Sequence, residues 1–165
     1  MPVSAAVTIV TFNSQQLLIL KRAHNPLDPW SGHLSLPGGR MDTGETALQA
    51  AIRETIEEVG IDLNGHKPRE LPVELAGLSA DHAIEVVPYH FELSHKPPIE
   101  LQLEEHDDYY WVDLNYLNDL TNHRRKKLSQ DFPDRLFSCI DIEGTELWGF
   151  TYKVLSDFLG WQRDK

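Results

Sequence analysis

Residues 37–61 read PGGRMDTGETALQAAIRETIEEVGI. Pro37, Gly38 and Gly39 interrupt any regular element, and no glycine or proline follows Thr46 until Gly60. A glycine just past an apolar-periodic run is a common helix stop, so this spacing predicts a helix from about Thr46 to Val59 behind a tight glycine turn. At 3.6 residues per turn, Leu48, Ile52, Thr55, Ile56 and Val59 share one stripe, read as the core face. The other side carries Ala47, Ala50 and Ala51, whose low profile leaves room for a loop or ligand, and then Glu54, Glu57 and Glu58. Helical positions i, i+3 and i+4 are neighbours, so the three carboxylates are expected to converge and repel. A hard divalent cation reverses that sign, because Mg²⁺ takes oxygen ligands at about 2.0–2.1 Å. A plain solvated acidic face is the competing reading of the same three residues. Arg53 is expected to point away from the cluster's centre and to pair with Glu45, tying loop to helix. Glycines at 38 and 39 let backbone approach a ligand with no Cβ in the way.

Working outward, residues 3–12 are β-branched and apolar, residues 13–15 form a turn and residues 17–22 make a second strand, together a hairpin. Residues 24–33 form a loop broken by Pro26, Pro29 and Gly32, and residues 33–36 a short strand. Strands are expected over 73–78, 85–93 (with Pro88 marking a bulge or an edge) and 109–112. Helices are expected over 114–120 and 150–159, and a hairpin turns at Glu143-Gly144 between 138–142 and 146–148. Strands and helices mix without a βαβ rhythm, which predicts an α+β domain. The length of 165 residues suits one domain, taken as 1–165.

The balance of 15 basic against 26 acidic residues, −11 formally, opposes nucleic acid unless a basic patch is segregated. An anionic substrate is repelled too, so phosphates would need local positive charge, and a bound divalent cation supplies it. No stretch reaches the roughly 18 apolar residues of a membrane span. Residues 1–12 lack the basic start of a secretory leader. Cys139 is the single cysteine, so no intrachain disulfide forms, which fits a reducing cytoplasm. His82 and His90 show no convincing metal-ligand spacing.

Gly39, then Glu45, then Arg53-Glu54-Thr55-Ile56-Glu57-Glu58-Val59-Gly60-Ile61 resembles the box of the Nudix hydrolases. All seven fixed identities stand at the family's spacing, and Thr55 alone departs, where the family prefers an aliphatic residue. The resemblance implies a Nudix fold, a mixed β-sheet sandwiched between helices. It also implies hydrolysis of a phosphoanhydride in a nucleoside diphosphate derivative. Carried over residue by residue, the metal set is Gly39, Glu54, Glu57 and Glu58, holding Mg²⁺ with Mn²⁺ as the alternative. Arg53 and Glu45 are the orienting pair beside the catalytic glutamates, and Gly38, Arg22 and Arg40 are substrate contacts. Glu54 is the first candidate for the general base if Glu57 and Glu58 dominate metal binding. Glu104 and Glu105 are later ones, otherwise read as part of a solvated acidic loop. Relatives of this kind are often homodimers.

Specificity lies outside the box. Residues 17–39, with Leu17-Leu18, Lys21-Arg22-Ala23, Gly32 and Pro37-Gly38-Gly39, resemble the upstream signature of coenzyme A diphosphatases. A second arginine is missing there, with Leu27 or Asp28 in its place, Leu36 replaces a phenylalanine, and the spacing is one residue too long. The substrate reading is therefore coenzyme A or a related compound. The alternatives are a nucleotide sugar, ADP-ribose or a modified nucleotide, and, in another class, a non-catalytic nucleotide-binding module. Trp30 is either a ligand contact or a cap on the core. Tyr109, Tyr110 and Trp111 are read first as core packing, with one of them a base-stacking alternative. The basic run at 123–127 is read as a solvated face, with a phosphate contact as the alternative.

Overall fold

The computed structural model describes residues 2–77 and 83–161. Leu78, the expected end of a strand, and His82 lie outside the described residues. The strands are β1 (Val3–Phe12), β2 (Gln16–Arg22), β3 (Leu34–Ser35), β4 (Gly38–Arg40), β5 (Arg69–Glu70), β6 (Glu74–Ala76), β7 (Ile84–Leu93), β8 (His106–Asp113), β9 (His123–Lys127), β10 (Leu136–Ile142) and β11 (Thr145–Trp148). The helices are α1 (Ala47–Val59), α2 (Leu114–Asn118) and α3 (Gly149–Leu159).

β1 to β8 form one mixed sheet. β1 runs parallel to β7 along its length, from Val3 opposite Glu85 to Phe12 opposite Leu93. β1 and β2 pair only beside their turn, at Thr11–Leu17 and Phe12–Gln16. Their splayed ends take up β4, on β1, and β3, on β2. β8 lines the far edge of β2 and sets Arg22 opposite His106. Pro88 sits inside β7, opposite the gap between β5, which pairs Tyr89 and His90, and β6, which ends at Val86. A residue with no N–H to give fits a place where no strand asks for one.

Alternation along the strands splits the core in two. Ala6, Val10, Leu18 and Leu20 face α1, with Ala51, Val59 and Phe91. Ile9, Leu17 and Ile19 face the other way, toward Leu117, Leu147, Val154 and Leu155 on α2, β11 and α3. The sheet therefore lies between helices, the α+β arrangement that the sequence predicts. β9, β10 and β11 form a small second sheet on the α3 side. The basic run at 123–127 is its outer strand and lies in the layer opposite α1. The helix expected to reach residue 120 stops at Asn118, and Asp119 starts a separate 3-10 turn by accepting from the Thr121 N–H at 3.0 Å. Tyr110 and Trp111 pack against the two cores, while Tyr109 is exposed.

α1 begins at Thr46, whose side chain and that of Gln49 cap each other's backbone, and ends at Gly60 with φ 74°. Its buried face differs from the expected stripe. Ala50, Ala51, Thr55, Glu58 and Val59 are buried, Leu48 and Ile52 are half-buried, and Ile56 is 41% exposed. The alanines thus face the sheet rather than a ligand. Small residues let the helix sit close on β1, which narrows the contact and pushes Ile52 and Ile56 to its flank. Thr55 belongs to this contact. Its hydroxyl donates to the Ala51 carbonyl at 2.7 Å and meets the Thr8 hydroxyl at 3.0 Å, with both residues fully buried. Thr55→Val should cost about 1–3 kcal/mol, because the Thr8 hydroxyl then has no acceptor. Adding Thr8→Val should recover most of that loss. Urea unfolding of the two variants checks both statements, and equal stabilities would contradict them.

Candidate active site

Four segments meet here, the first of them the outer edge of α1 and the second β4. β4 brings Gly38 and Gly39 alongside β1, opposite Val7 and Ala6. A Cβ on Gly38 would lie 2.3 Å from the Ala6 carbonyl oxygen, and φ there is +150°, so only glycine fits. A Cβ on Gly39 would lie 2.7 Å from Glu54 Oε1, so the missing side chain makes the space that the Glu54 carboxylate occupies. The third segment, residues 99–105, crosses the end of α1. The N–H groups of Glu100 and Gln102 donate to the carbonyls of Val59 and Glu58, both at 2.9 Å. These are the last-turn acceptors that a helix cannot satisfy itself. That strap delivers Glu105 and His106 to the helix. The fourth segment, residues 22–33, hangs beside it, with the Ala23 N–H donating to the Glu105 carbonyl at 2.8 Å.

The three helix glutamates do not converge on one point as expected. Glu54 and Glu57 turn to Arg53, whose Nη1 lies 3.0 Å from Glu54 Oε1 and 3.2 Å from Glu57 Oε2. Glu58 turns the other way. Its Oε2 accepts from the Gly38 N–H at 2.8 Å, and its Oε1 lies 3.2 Å from His106 Nε2. The side chains grade from half-exposed Glu57 through Glu54 to the buried Glu58. Arg53 contacts the cluster rather than pointing away from it. It also forks onto Glu45, with Nε 2.7 Å from Oε2 and Nη2 3.0 Å from Oε1, and Nη2 donates to the Arg40 carbonyl at 3.1 Å. Loop and helix are thereby tied as the sequence predicts, and Arg40 reaches this network through its backbone.

Charge follows from these contacts. Burial, followed by the charge on Glu58, pushes the Glu54 carboxyl up to about 7, against the opposing pull of Arg53. Burial also raises Glu58, countered by its His106 and Gly38 hydrogen bonds. The Arg53 hydrogen bond holds Glu45 below the usual carboxylate range.

Among the described residues, the metal-type cluster comprises Glu58, Glu105 and His106, whose ligand atoms lie within 4.8 Å of one another. Carboxylate oxygens are the donors a hard divalent cation takes, and the open space over Gly39 brings Glu54 to the same edge, so the residues fit such an ion. Glu105 is exposed, as the acidic-loop reading has it, and its carboxylate stands beside the buried pair of Glu58 and His106. His106 is not marked by any motif in the sequence. The only signal was one histidine within the acidic run of 104–108, at the start of a strand recognised only from its aromatic half.

The upstream loop carries contacts of its own. Arg22 is held by Asp28, with Nη2 2.8 Å and Nε 2.9 Å from Oδ2. Asp28 therefore stands where the resemblance places a second arginine and holds the first. Trp30 is 58% exposed and does not cap the core.

A family model described as a NUDIX domain matches residues 2–132. A putative 8-oxo-dGTP diphosphatase of Bacillus subtilis is 51% identical over 55 residues, 33% of each chain. The peroxisomal coenzyme A diphosphatase 1 of Saccharomyces cerevisiae is 33% identical over 124 residues, 68% of this chain and 35% of the yeast protein. The crystal structure of a MutT/nudix family protein from Enterococcus faecalis superposes with a TM-score of 0.65 at 16% identity, covering 94% of this chain and 60% of that one, a likeness of fold. The chain spans only 15%, 33% and 25% of the lengths of three curated relatives, from Schizosaccharomyces pombe, Bacillus subtilis and Caenorhabditis elegans. No described helix is long and apolar enough to cross a membrane. With the family match running over most of its length, and the box residues gathered at one helix edge, the chain belongs to the Nudix family.

Proposed function

We propose that this chain, acting as one domain, hydrolyses a phosphoanhydride bond in a nucleoside diphosphate derivative with the help of Mg²⁺ or Mn²⁺. The observation that carries this reading is the edge of α1, where Glu54, Glu57 and Glu58 stand between Arg53 on one side and Gly38, Glu105 and His106 on the other. Such a cation would be held by Glu58, Glu54 and Glu57 with the Gly39 backbone, and what it supplies is neutralisation of phosphate charge and activation of water. The chain's own parts do the positioning. Arg53 orients Glu54 and Glu57, Glu45 orients Arg53, and Gly38 orients Glu58. Where Glu57 and Glu58 carry most of the cation's coordination, Glu54 is the group we assign to take the attacking water's proton.

Coenzyme A is the first substrate to test, supported by the resemblance of residues 17–39 and by the similarity to the yeast enzyme. The grip of Asp28 on Arg22 favours a variant of that specificity. The placement of the 123–127 run opposite α1 speaks for a solvated face there rather than a contact to a further phosphate. Coenzyme A, ADP-ribose, nucleotide sugars and modified nucleoside triphosphates should be assayed with Mg²⁺, Mn²⁺ or EDTA. We expect turnover of at least one of them that EDTA abolishes. Nucleotide binding without any turnover would make the chain a sensing module instead.

The pH dependence carries a definite sign. A carboxyl raised to about 7 holds its proton in the metal-free protein well above the usual value of 4.5. That contribution to stability is full below about pH 4.5 and fades as pH rises through 7. The proton must also leave before a cation binds, so Mg²⁺ affinity should climb by up to about tenfold per pH unit below 7 and level off above it. Calorimetric titration between pH 5.5 and 8.5 reads this directly, and a flat profile would contradict it.

A further inference from the structure

We infer that His106 is a positioning residue that fixes Glu58 for cation binding by donating Nε2–H to its carboxylate. The inference rests on the reading of Glu58 as a cation ligand and adds a partner from outside the box.

The geometry is a three-part clamp. Glu58 Oε2 takes the Gly38 N–H at 2.8 Å, and Oε1 faces His106 Nε2 at 3.2 Å. Both side chains are buried, Glu58 to 4% exposure and His106 to 1%. Each carboxylate oxygen keeps a further lone pair, so the clamp sets orientation without consuming the ligand sites. The other ring nitrogen decides the tautomer. His106 Nδ1 is buried and has no hydrogen-bond partner among the described residues. An ionised carboxylate only accepts, so Nε2 carries the hydrogen and Nδ1 is left as a bare lone pair rather than a stranded N–H.

Such a residue makes little sense as packing alone. An apolar side chain in the same space would leave no orphan atom, whereas histidine accepts an unmet nitrogen in return for one hydrogen bond to Glu58. The strap explains how the contact is held. The His106 N–H donates to the Gln102 carbonyl, and Gln102 N–H donates to the Glu58 carbonyl, both at 2.9 Å. The histidine is thus anchored, through one intervening residue, to the backbone of the glutamate whose side chain it holds. Partners that orient metal ligands in this way typically alter affinity or activity by about 10–100-fold when removed.

The test uses Mn²⁺ alone as the probe, followed by paramagnetic resonance, beside kcat, KM and the melting temperature of the metal-free chain. His106→Leu is expected to weaken Mn²⁺ binding by roughly 10–100-fold and to lower kcat more than it raises KM. His106→Gln, which places an amide N–H near the Nε2 position, is expected to keep most of the affinity. In a Glu58→Gln background, His106→Leu should cost little more, since the two act as one unit. An unchanged Mn²⁺ affinity in His106→Leu, a Gln variant as poor as Leu, or a full additional loss in the Glu58→Gln background would each overturn the assignment. Should His106→Leu fail to fold, the ¹⁵N spectrum of the wild-type histidines decides. A protonated Nε2 that responds to Mn²⁺ or Mg²⁺ is expected, and a protonated Nδ1 overturns the proposal. Unaltered Mn²⁺ binding in Glu58→Gln alone would instead sink the Glu58 ligand reading.

Discussion

Glu58→Gln is expected to cut kcat by on the order of a hundredfold, with KM moving far less. The substitution removes a negative charge from the edge where a cation would sit, and several kcal/mol of transition-state stabilisation depend on that charge. A loss of about 3 kcal/mol corresponds to roughly two powers of ten in rate. The site adds a second cost. Gly38 N–H still finds the amide oxygen, but the new NH₂ then faces His106 Nε2, which has been donating. The histidine must exchange tautomers or leave two donors opposed in a buried space, so Mg²⁺ binding should weaken along with turnover. Calorimetry with Mg²⁺ and steady-state kinetics on the preferred substrate check both. Near wild-type rates in Glu58→Gln and in Glu57→Gln together would defeat the metal assignment.

The second large effect is expected at Arg53. One guanidinium reaches Glu45, Glu54, Glu57 and the Arg40 carbonyl. Arg53→Ala releases the 40–45 loop and removes the one arginine or lysine that pairs with Glu54 and Glu57 among the described residues. A shift of about 1 Å in a reacting group is enough to lose on the order of a hundredfold in rate, and that is the loss expected in kcat. The stability change should be smaller, about 1 kcal/mol, because the guanidinium is partly exposed and screened. Mg²⁺ should restore part of the lost melting temperature by neutralising the same carboxylates. Arg53→Lys should rescue little, since a single ammonium cannot span a fork of four acceptors. A lysine variant with full activity would reduce Arg53 to a simple counter-charge.

Much of this arrangement was legible in residues 37–61. The helix limits, its Thr46 start and Gly60 stop, and the Arg53–Glu45 tie all come from local rules of capping, spacing and charge, which a sequence displays openly. The identity of the buried face was not legible. A periodicity argument ranks Ile above Ala, yet close packing on β1 favours Ala50, Ala51 and Thr55 and turns Ile56 outward. Thr55, an oddity against the family pattern, becomes intelligible only once Thr8 is seen opposite it. The separation of the glutamates was not legible either, because helical spacing fixes Cβ positions and not the partners that draw the carboxylates apart. His106 was invisible for a further reason. Its contact with Glu58 spans 48 positions and exists only because the strap returns to the end of α1.

The parallel pairing of β1 with β7 has a consequence for how the molecule is made. Local hairpin formation can join β1 to β2 early, and α1 can coil as soon as its residues are available. The edge of β1 that β7 covers must wait until the chain through Leu93 has been synthesised, and the strap and His106 come later still. Pairings so distant in sequence form slowly, because the chain entropy of closing the intervening loop must be overcome before any contact rewards it. A nascent or truncated chain ending before residue 84 would therefore carry the complete signature motif and yet leave one side of its first strand bare, a sticky edge of the kind that invites pairing with a neighbour.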